Sequence, residues 1–270
     1  MNPLTIVFAI GVVMFVLWVI RYIVTNPNTL QGMTDGTIST KISSDDLPSK
    51  DDGVPDSNFA YSVWFYINDW NYRYGEPKVL FGRMGGKASA GSSSDDIDNA
   101  SEVASARTKG PLAGISGKDP CPVVTFGPKE NNLMVALGCY PGADQEPTTE
   151  GGATVVHTCG IGNIPIQKWT NLVLSVYGRT LDLYIDGKLV RTCLLPGVAH
   201  VKDSASVYIT PMGGFDGWTS KFQYYSDSIN PQQAWNIYSA GYSDGLFAGS
   251  YQLQVNLMNN GETKSSYTLG

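Results

Sequence analysis

Trp169-Thr170-Asn171-Leu172-Val173-Leu174-Ser175-Val176-Tyr177-Gly178-Arg179-Thr180-Leu181-Asp182-Leu183-Tyr184-Ile185-Asp186-Gly187-Lys188-Leu189-Val190-Arg191-Thr192 is the stretch whose reading decides the fold. Leu172, Leu174 and Val176 alternate toward one face, and after a Gly178-Arg179 turn Leu181, Leu183 and Ile185 do the same. Side chains on a strand alternate between two faces, so this spacing predicts two antiparallel strands with one face on a core. Asp186-Gly187 suits a two-residue hairpin turn, because both turn positions need positive φ. Lys188 to Thr192 then returns as the next strand.

The same pattern extends outward. Ala60 to Ile67 places Tyr61, Val63, Phe65 and Ile67 on one face and Trp64 and Tyr66 on the other. Large residues on both faces suit a strand within a sandwich rather than one lying on open water. Further strands read at Val79–Phe81, Val123–Phe126 and Leu133–Leu137. The chain has 270 residues, 42% hydrophobic and only 16% charged, with 30 Gly, which excludes a coiled coil, a helix bundle and a wholly disordered chain. Many short strands and Gly-rich turns predict an all-β, antiparallel sandwich or jelly roll. The formal charge of −6, with no basic stripe, excludes an ordinary nucleic-acid binder.

Ile166 to Leu174, followed by Leu181-Asp182-Leu183-Tyr184-Ile185-Asp186-Gly187, resembles the central signature of concanavalin A-like, laminin-G-like domains. Phe215 to Tyr225 and then Ile229 to Tyr238 resemble that family's closing strand and short terminal helix. The likeness is good over 164–241 and extends from Asn58, so the sandwich is expected over 58–270. Residues 85–117, rich in Ala, Ser, Gly and Asp, depart from the pattern and read as an inserted surface loop. Tyr251 to Leu257, with an Asn260-Gly261 turn, reads as a strand or hairpin beyond the family's usual end.

A different signal opens the chain. From Leu4 to Ile20 every residue is apolar, Gly or Thr, and after Arg21 the run continues through Val24. At about 1.5 Å per residue such a helix spans roughly 30 Å, the thickness of a bilayer's hydrocarbon core. Residues 1–24 are therefore expected to form one transmembrane helix, with the lipid bilayer as a partner. Trp18 and Tyr22 suit the headgroup level, and Arg21 can snorkel there. Arg21 also points the large domain toward the cytosol by the positive-inside tendency. Residues 25–57, punctuated by Asn26-Pro27-Asn28, Asp35-Gly36, Pro48 and Asp51-Asp52-Gly53, read as an extended polar linker.

The residues offer little chemistry. The Glu-x-Asp-x-x-Glu strand motif of retaining glucanases of this fold is absent, and Asp186 and Asp216 fall in turns. His157 and His200, the only two histidines, sit near no nucleophile elbow. Asp95-Asp96-Ile97-Asp98-Asn99 lacks the spacing of an EF-hand loop, and no phosphate-cradling loop occurs. Neither enzyme activity, a bound metal nor a cofactor is expected. Cys121, Cys139, Cys159 and Cys193 contain no Cys-x-x-Cys pair and allow two disulfides in three connectivities. Cys139 ends one strand and Cys159 begins another, which makes Cys139–Cys159 and Cys121–Cys193 the candidate pairing. A reducing cytosol would oppose any such bond, so the cysteines and Arg21 pull in opposite directions.

A span, a polar tether and a laminin-G-like domain in one chain is similar in arrangement to membrane-linked minor capsid proteins of large icosahedral DNA viruses. That resemblance implies a structural protein between inner membrane and capsid, in contact with other capsid proteins. The alternative is a membrane-anchored glycan-binding module. Trp70, Tyr72 and Tyr74 form the candidate platform for either partner, since exposed aromatic rings stack on sugars and anchor protein interfaces alike.

Overall fold

Period-two alternation gives each strand one apolar face, and two sheets bury those faces against each other. The computed structural model describes residues 27–50, 57–85, 119–143, 145–147, 154–203, 205–243, 253–259 and 262–269, together with Gly53 and five residues of the N-terminal apolar run. In chain order the strands are β1 (Thr29–Gln31), β2 (Thr34–Asp35), β3 (Thr40–Ile42), β4 (Phe59–Asp69), β5 (Lys78–Gly85), β6 (Asp119–Phe126) and β7 (Leu133–Cys139). There follow β8 (Val155–Ile161), β9 (Thr170–Tyr177), β10 (Thr180–Ile185), β11 (Lys188–Leu194), β12 (Val207–Ile209) and β13 (Asp216–Tyr225). A helix, α1 (Pro231–Ser239), and the hairpin β14 (Leu253–Asn259) and β15 (Glu262–Leu269) complete the order. One sheet runs β1-β13-β4-β9-β10-β11, with β2 also on β13, and the other runs β3-β12-β5-β6-β7-β8. The ladders are antiparallel throughout.

The inward faces are those the alternation predicts. Tyr61, Val63, Phe65, Ile67, Leu172, Leu174, Val176, Leu181 and Leu183 from the first sheet meet Leu80, Val124, Phe126, Leu133, Val135 and Leu137 from the second. Rings join the layers at Phe65–Phe126 (5.2 Å between centroids) and Tyr61–Phe81 (5.4 Å). On the outer face Trp64 stacks on Tyr238 of α1 at 5.6 Å. Asn230 and Gln233 form a reciprocal capping box at the start of α1, with Pro231 in the first turn.

The Asp186-Gly187 turn has φ values of 49° and 72°, as a two-residue hairpin requires. A Cβ on Gly187 would lie 3.0 Å from Tyr238 Cβ and 3.1 Å from Trp235 Cε3, because α1 packs directly on the turn. Gly187→Ala is therefore expected to lower the unfolding free energy by about 2 kcal/mol, read as a lower urea midpoint.

Two expectations are corrected. Residues 25–57 are not simply an extended linker: β1 and β2 bond to β13, and β3 bonds to β12. Edge strands dock through backbone hydrogen bonds whatever their side-chain polarity. Among the described apolar residues of this stretch Leu30, Ile42 and Leu47 reach the core, while Met33 and Ile38 stay exposed.

The disulfide pairing also differs. Cys159 bonds Cys193, with Cα atoms 6.2 Å apart, while Cys139 and Cys121 are buried thiols. On β7 and β8 the register sets Cys139 opposite Val155 and Cys159 opposite Val135. Four residues of strand, roughly 13 Å, thus separate Cys139 from Cys159. Cys159 and Cys193 instead lie on the edge strands β8 and β11 and join the two sheets along one side. Burial pushes the Cys139 thiol up to about 12.

Most of the apolar run, including Leu4, Trp18, Ile20, Arg21, Tyr22 and Val24, lies outside the described residues, as does most of the 85–117 stretch. Phe8, Gly11, Val12, Met14 and Phe15 are helical and exposed. Among the described residues no helix is long and apolar enough to cross a membrane.

Candidate functional site

Strand direction gives the sandwich two distinct ends. The N-terminal segment enters beside Tyr224, whose N–H donates to the Asn28 carbonyl at 3.1 Å, and Tyr224 pairs with Tyr61 of β4. At its other end β4 closes on Asp69, paired with Asp216. Eight residues of strand, roughly 27 Å, separate Tyr61 from Asp69. The loop after β4, which carries Trp70, Tyr72 and Tyr74, therefore crowns the end remote from chain entry.

That loop is tightly built. Asp69 Oδ1 accepts from the Asn71 backbone (2.9 Å) and side chain (3.1 Å). Arg73, with φ of 51°, forks onto Glu76 Oε2 at 2.9 and 2.7 Å and donates to the Met212 carbonyl. Tyr72 Oη donates to the Gly213 carbonyl at 3.1 Å. Trp70 donates from Nε1 to the Lys129 carbonyl at 3.1 Å and rests edge-on against Phe126.

The three predicted platform rings share one loop but are not equally presented. Trp70 and Tyr72 are partly buried, and Tyr74 is 59% exposed. Polar groups surround the exposed ring's end of the molecule. Asn68 Nδ2 donates to Asp216 Oδ2 (2.9 Å), and Gln167 Nε2 donates to the Asn68 carbonyl (3.3 Å). Asp186 accepts from Lys168 Nζ (2.9 Å) and from the Asn171 backbone (3.0 Å), so it ties two turns together. Arg73, Asn163, Gln167, Thr210 and Met212, all non-glycine residues at positive φ, gather at this end. Such strained positions cluster where surrounding structure over-determines a loop.

Beneath the rim lies an unusual cation. Lys78 is 1% exposed, its Nζ sits 4.8 Å from the Trp70 ring centroid, and it finds no hydrogen-bond acceptor among the described residues. Desolvation, then repulsion by Arg73, holds its pKa below 10.5. A base depressed in the folded state binds fewer protons there than when unfolded, so its penalty is full at low pH and fades as pH rises toward 10.5. Lys78→Met should raise the urea midpoint at pH 7, with a gain over the parent that shrinks as pH approaches 10. A constant gain across that range would contradict the assignment.

Sequence reading missed a second aromatic array. Trp218, Tyr66, Trp169, Tyr242, Trp64, Tyr238 and Trp235 form an unbroken chain of ring contacts across the outer face of the first sheet. The off-phase positions Trp64 and Tyr66 were its only legible sign, because the remaining rings come from distant segments. Among the described residues no group of three or more His, Cys, Asp or Glu is placed to hold a metal ion. Residues 95–99 lie outside the described residues. His157 lies on β8, where burial lowers its pKa, and His200 meets the Tyr140 ring at 5.1 Å.

No protein-family model and no curated protein matches the sequence. Among solved structures, the chain is similar to the receptor binding domain of botulinum neurotoxin D, at 11% identity and a TM-score of 0.46, over 77% of this chain and 43% of that one. The botulinum neurotoxin serotype G binding domain matches at 11% identity and a TM-score of 0.44, over 77% and 46% of the two chains. The binding domain of Paraclostridial Mosquitocidal Protein 1 matches at 11% identity and a TM-score of 0.45, over 77% and 42%. The chain spans less than half the length of these structures.

Proposed function

We propose that this protein is a membrane-anchored, lectin-like binding module. The apolar run Leu4–Val24 sits in a bilayer, and the rim around Tyr74 meets a ligand above it. One observation carries the reading: the backbone is already bonded into the sandwich at Asn28, four residues after the run ends, on the end opposite the rim. Four residues reach at most about 14 Å. The domain is therefore held directly over the lipid with its built loops turned away. The exposed helical side chains of Phe8, Val12, Met14 and Phe15 suit a segment whose solvent is lipid.

The ligand class the rim suits first is a glycan. Tyr74 offers an open ring face, and Asn68, Asn71, Asp69 and Gln167 offer exposed amide and carboxylate partners for hydroxyl groups. Asp186 and Asp216 are engaged in holding turns, so the reading is of a binding module and not of a hydrolase. A second reading has its own support. Ile38 (57% exposed) and Ile166 (39%) lie at the same end, and Trp70 and Tyr72 are tied down internally. Exposed apolar side chains favour a protein layer, as in a minor capsid protein linking inner membrane to shell.

Full-length chain in lipid vesicles, presented to an array of immobilised oligosaccharides, tests the first reading. Binding that is lost in Tyr74→Ala supports it. No binding to any sugar, with capture of a shell protein that free sugar does not displace, replaces it by the second.

A further inference from the structure

We infer that the end of the sandwich at which the chain enters seats directly on the bilayer that holds the apolar run, through Tyr177, Leu194, Tyr140 and Val198. The inference rests on the anchored reading and adds to it a lipid-contacting surface. Leu194 and Tyr177, at 71% and 68% exposure, are the most exposed large apolar side chains among the described residues after the run. They belong to one row: Thr180 pairs with Tyr177 on one side and with Leu194 on the other, at the end of β9 where Val176 opposes Phe59.

Tyr140 (47% exposed) and Val198 (41%) join them at the same end, linked by a 3.0 Å bond from the Tyr140 N–H to the Val198 carbonyl. Residues 195–199 cross here from β11 to the end of β7, where Ala199 bridges Cys139.

The occupant follows from chain length. With Asn28 bonded to Tyr224, Asn28 itself lies within about 14 Å of the end of the apolar run. Strand spacing sets β9 roughly 10 Å and β11 roughly 20 Å to the side of β13. The register sets Tyr177 about three residues, roughly 10 Å, beyond Tyr224 toward the run, which carries the row toward a headgroup layer about 5–7 Å deep per leaflet. Tyrosines suit that depth, with ring in the apolar boundary and hydroxyl in water. Arg179, which caps the tip through bonds from Nε and Nη2 to the Leu195 carbonyl (3.2 and 3.1 Å), adds a cation at phosphate level. The same end also carries Asp45 and Asp46, in the turn after β3, with Asp203 and Asp227, which together outnumber Arg179, Lys50 and Lys202, so the contact is expected with zwitterionic and not with anionic lipid.

Hydroxyl-radical footprinting of the full-length chain in phosphatidylcholine vesicles tests this. Tyr74, exposed at the opposite end, serves as internal reference. Tyr177 and Tyr140 should label at least about fivefold more slowly than Tyr74, and the Tyr177→Ser, Leu194→Ser chain should bring Tyr140 back toward the Tyr74 rate. If the chain floats with the vesicles but Tyr177 labels as fast as Tyr74, the seat is wrong while the anchor stands. If the chain does not float at all, the anchored reading fails and takes the seat with it.

Discussion

Replacing Cys159 by serine is expected to lower the unfolding free energy by about 4 kcal/mol, the chain-entropy value for a loop of this size at 25 °C. The bond spans 34 residues and joins β8 to β11, the edge strands of opposite sheets. Apart from it, the bond from Arg191 Nη1 to the Gly160 carbonyl (3.1 Å) ties these edges. Without the cross-link both edges gain freedom in the unfolded chain, and the buried Cys159 site receives a hydroxyl. Equilibrium urea unfolding of parent, parent under reductant, and Cys159→Ser should show a lower midpoint for the last two, with Cys159→Ser the lower because of its buried hydroxyl. Cys139→Ser should retain the Cys159–Cys193 peptide in non-reducing mass mapping. An unchanged midpoint in Cys159→Ser would mean the two sheets need no clasp at this edge.

Phe126→Ala is expected to cost about 4 kcal/mol as well, the usual toll for emptying a ring's worth of packed volume. Phe126 is 1% exposed and meets Phe65 at 5.2 Å, Phe215 at 5.1 Å and Trp70 at 6.1 Å, so it links both sheets to the rim. Its loss should also unseat Trp70 and admit water to Lys78. Two readouts separate the effects: the urea midpoint falls, and the Lys78 side chain becomes accessible to an acylating reagent, which reacts with its neutral amine and does not label it in the parent. By contrast Tyr74→Ala should shift stability by less than about 0.5 kcal/mol, because its ring is largely in solvent. A similar loss in both variants would refute the distinction between core and rim drawn here.

The strands of the sandwich were legible because burial on one face leaves a period of two in the sequence. Leu172, Leu174 and Val176 show it, and so does Asp186-Gly187, where turn geometry restricts residue choice. The edge strands β1, β2 and β3 were not legible. Only Leu30, Ile42 and Leu47 contact the core there, and backbone pairing leaves no mark on polar side chains. The cysteine pairing was hidden for a related reason: it depends on which strands end up at the edges, a property of topology and not of spacing. At the site, the sequence placed Trp70, Tyr72 and Tyr74 on one loop. What divides them is long-range, since Tyr72 is held by Gly213, 141 positions away, and Trp70 by Lys129, 59 away.

The anchoring claim meets its most direct trial in alkaline carbonate extraction of membranes carrying the full-length chain. Retention in the membrane pellet, alongside an integral marker, is the result expected of a chain whose residues Leu4–Val24 lie in lipid. Release into the supernatant with peripheral proteins would contradict it.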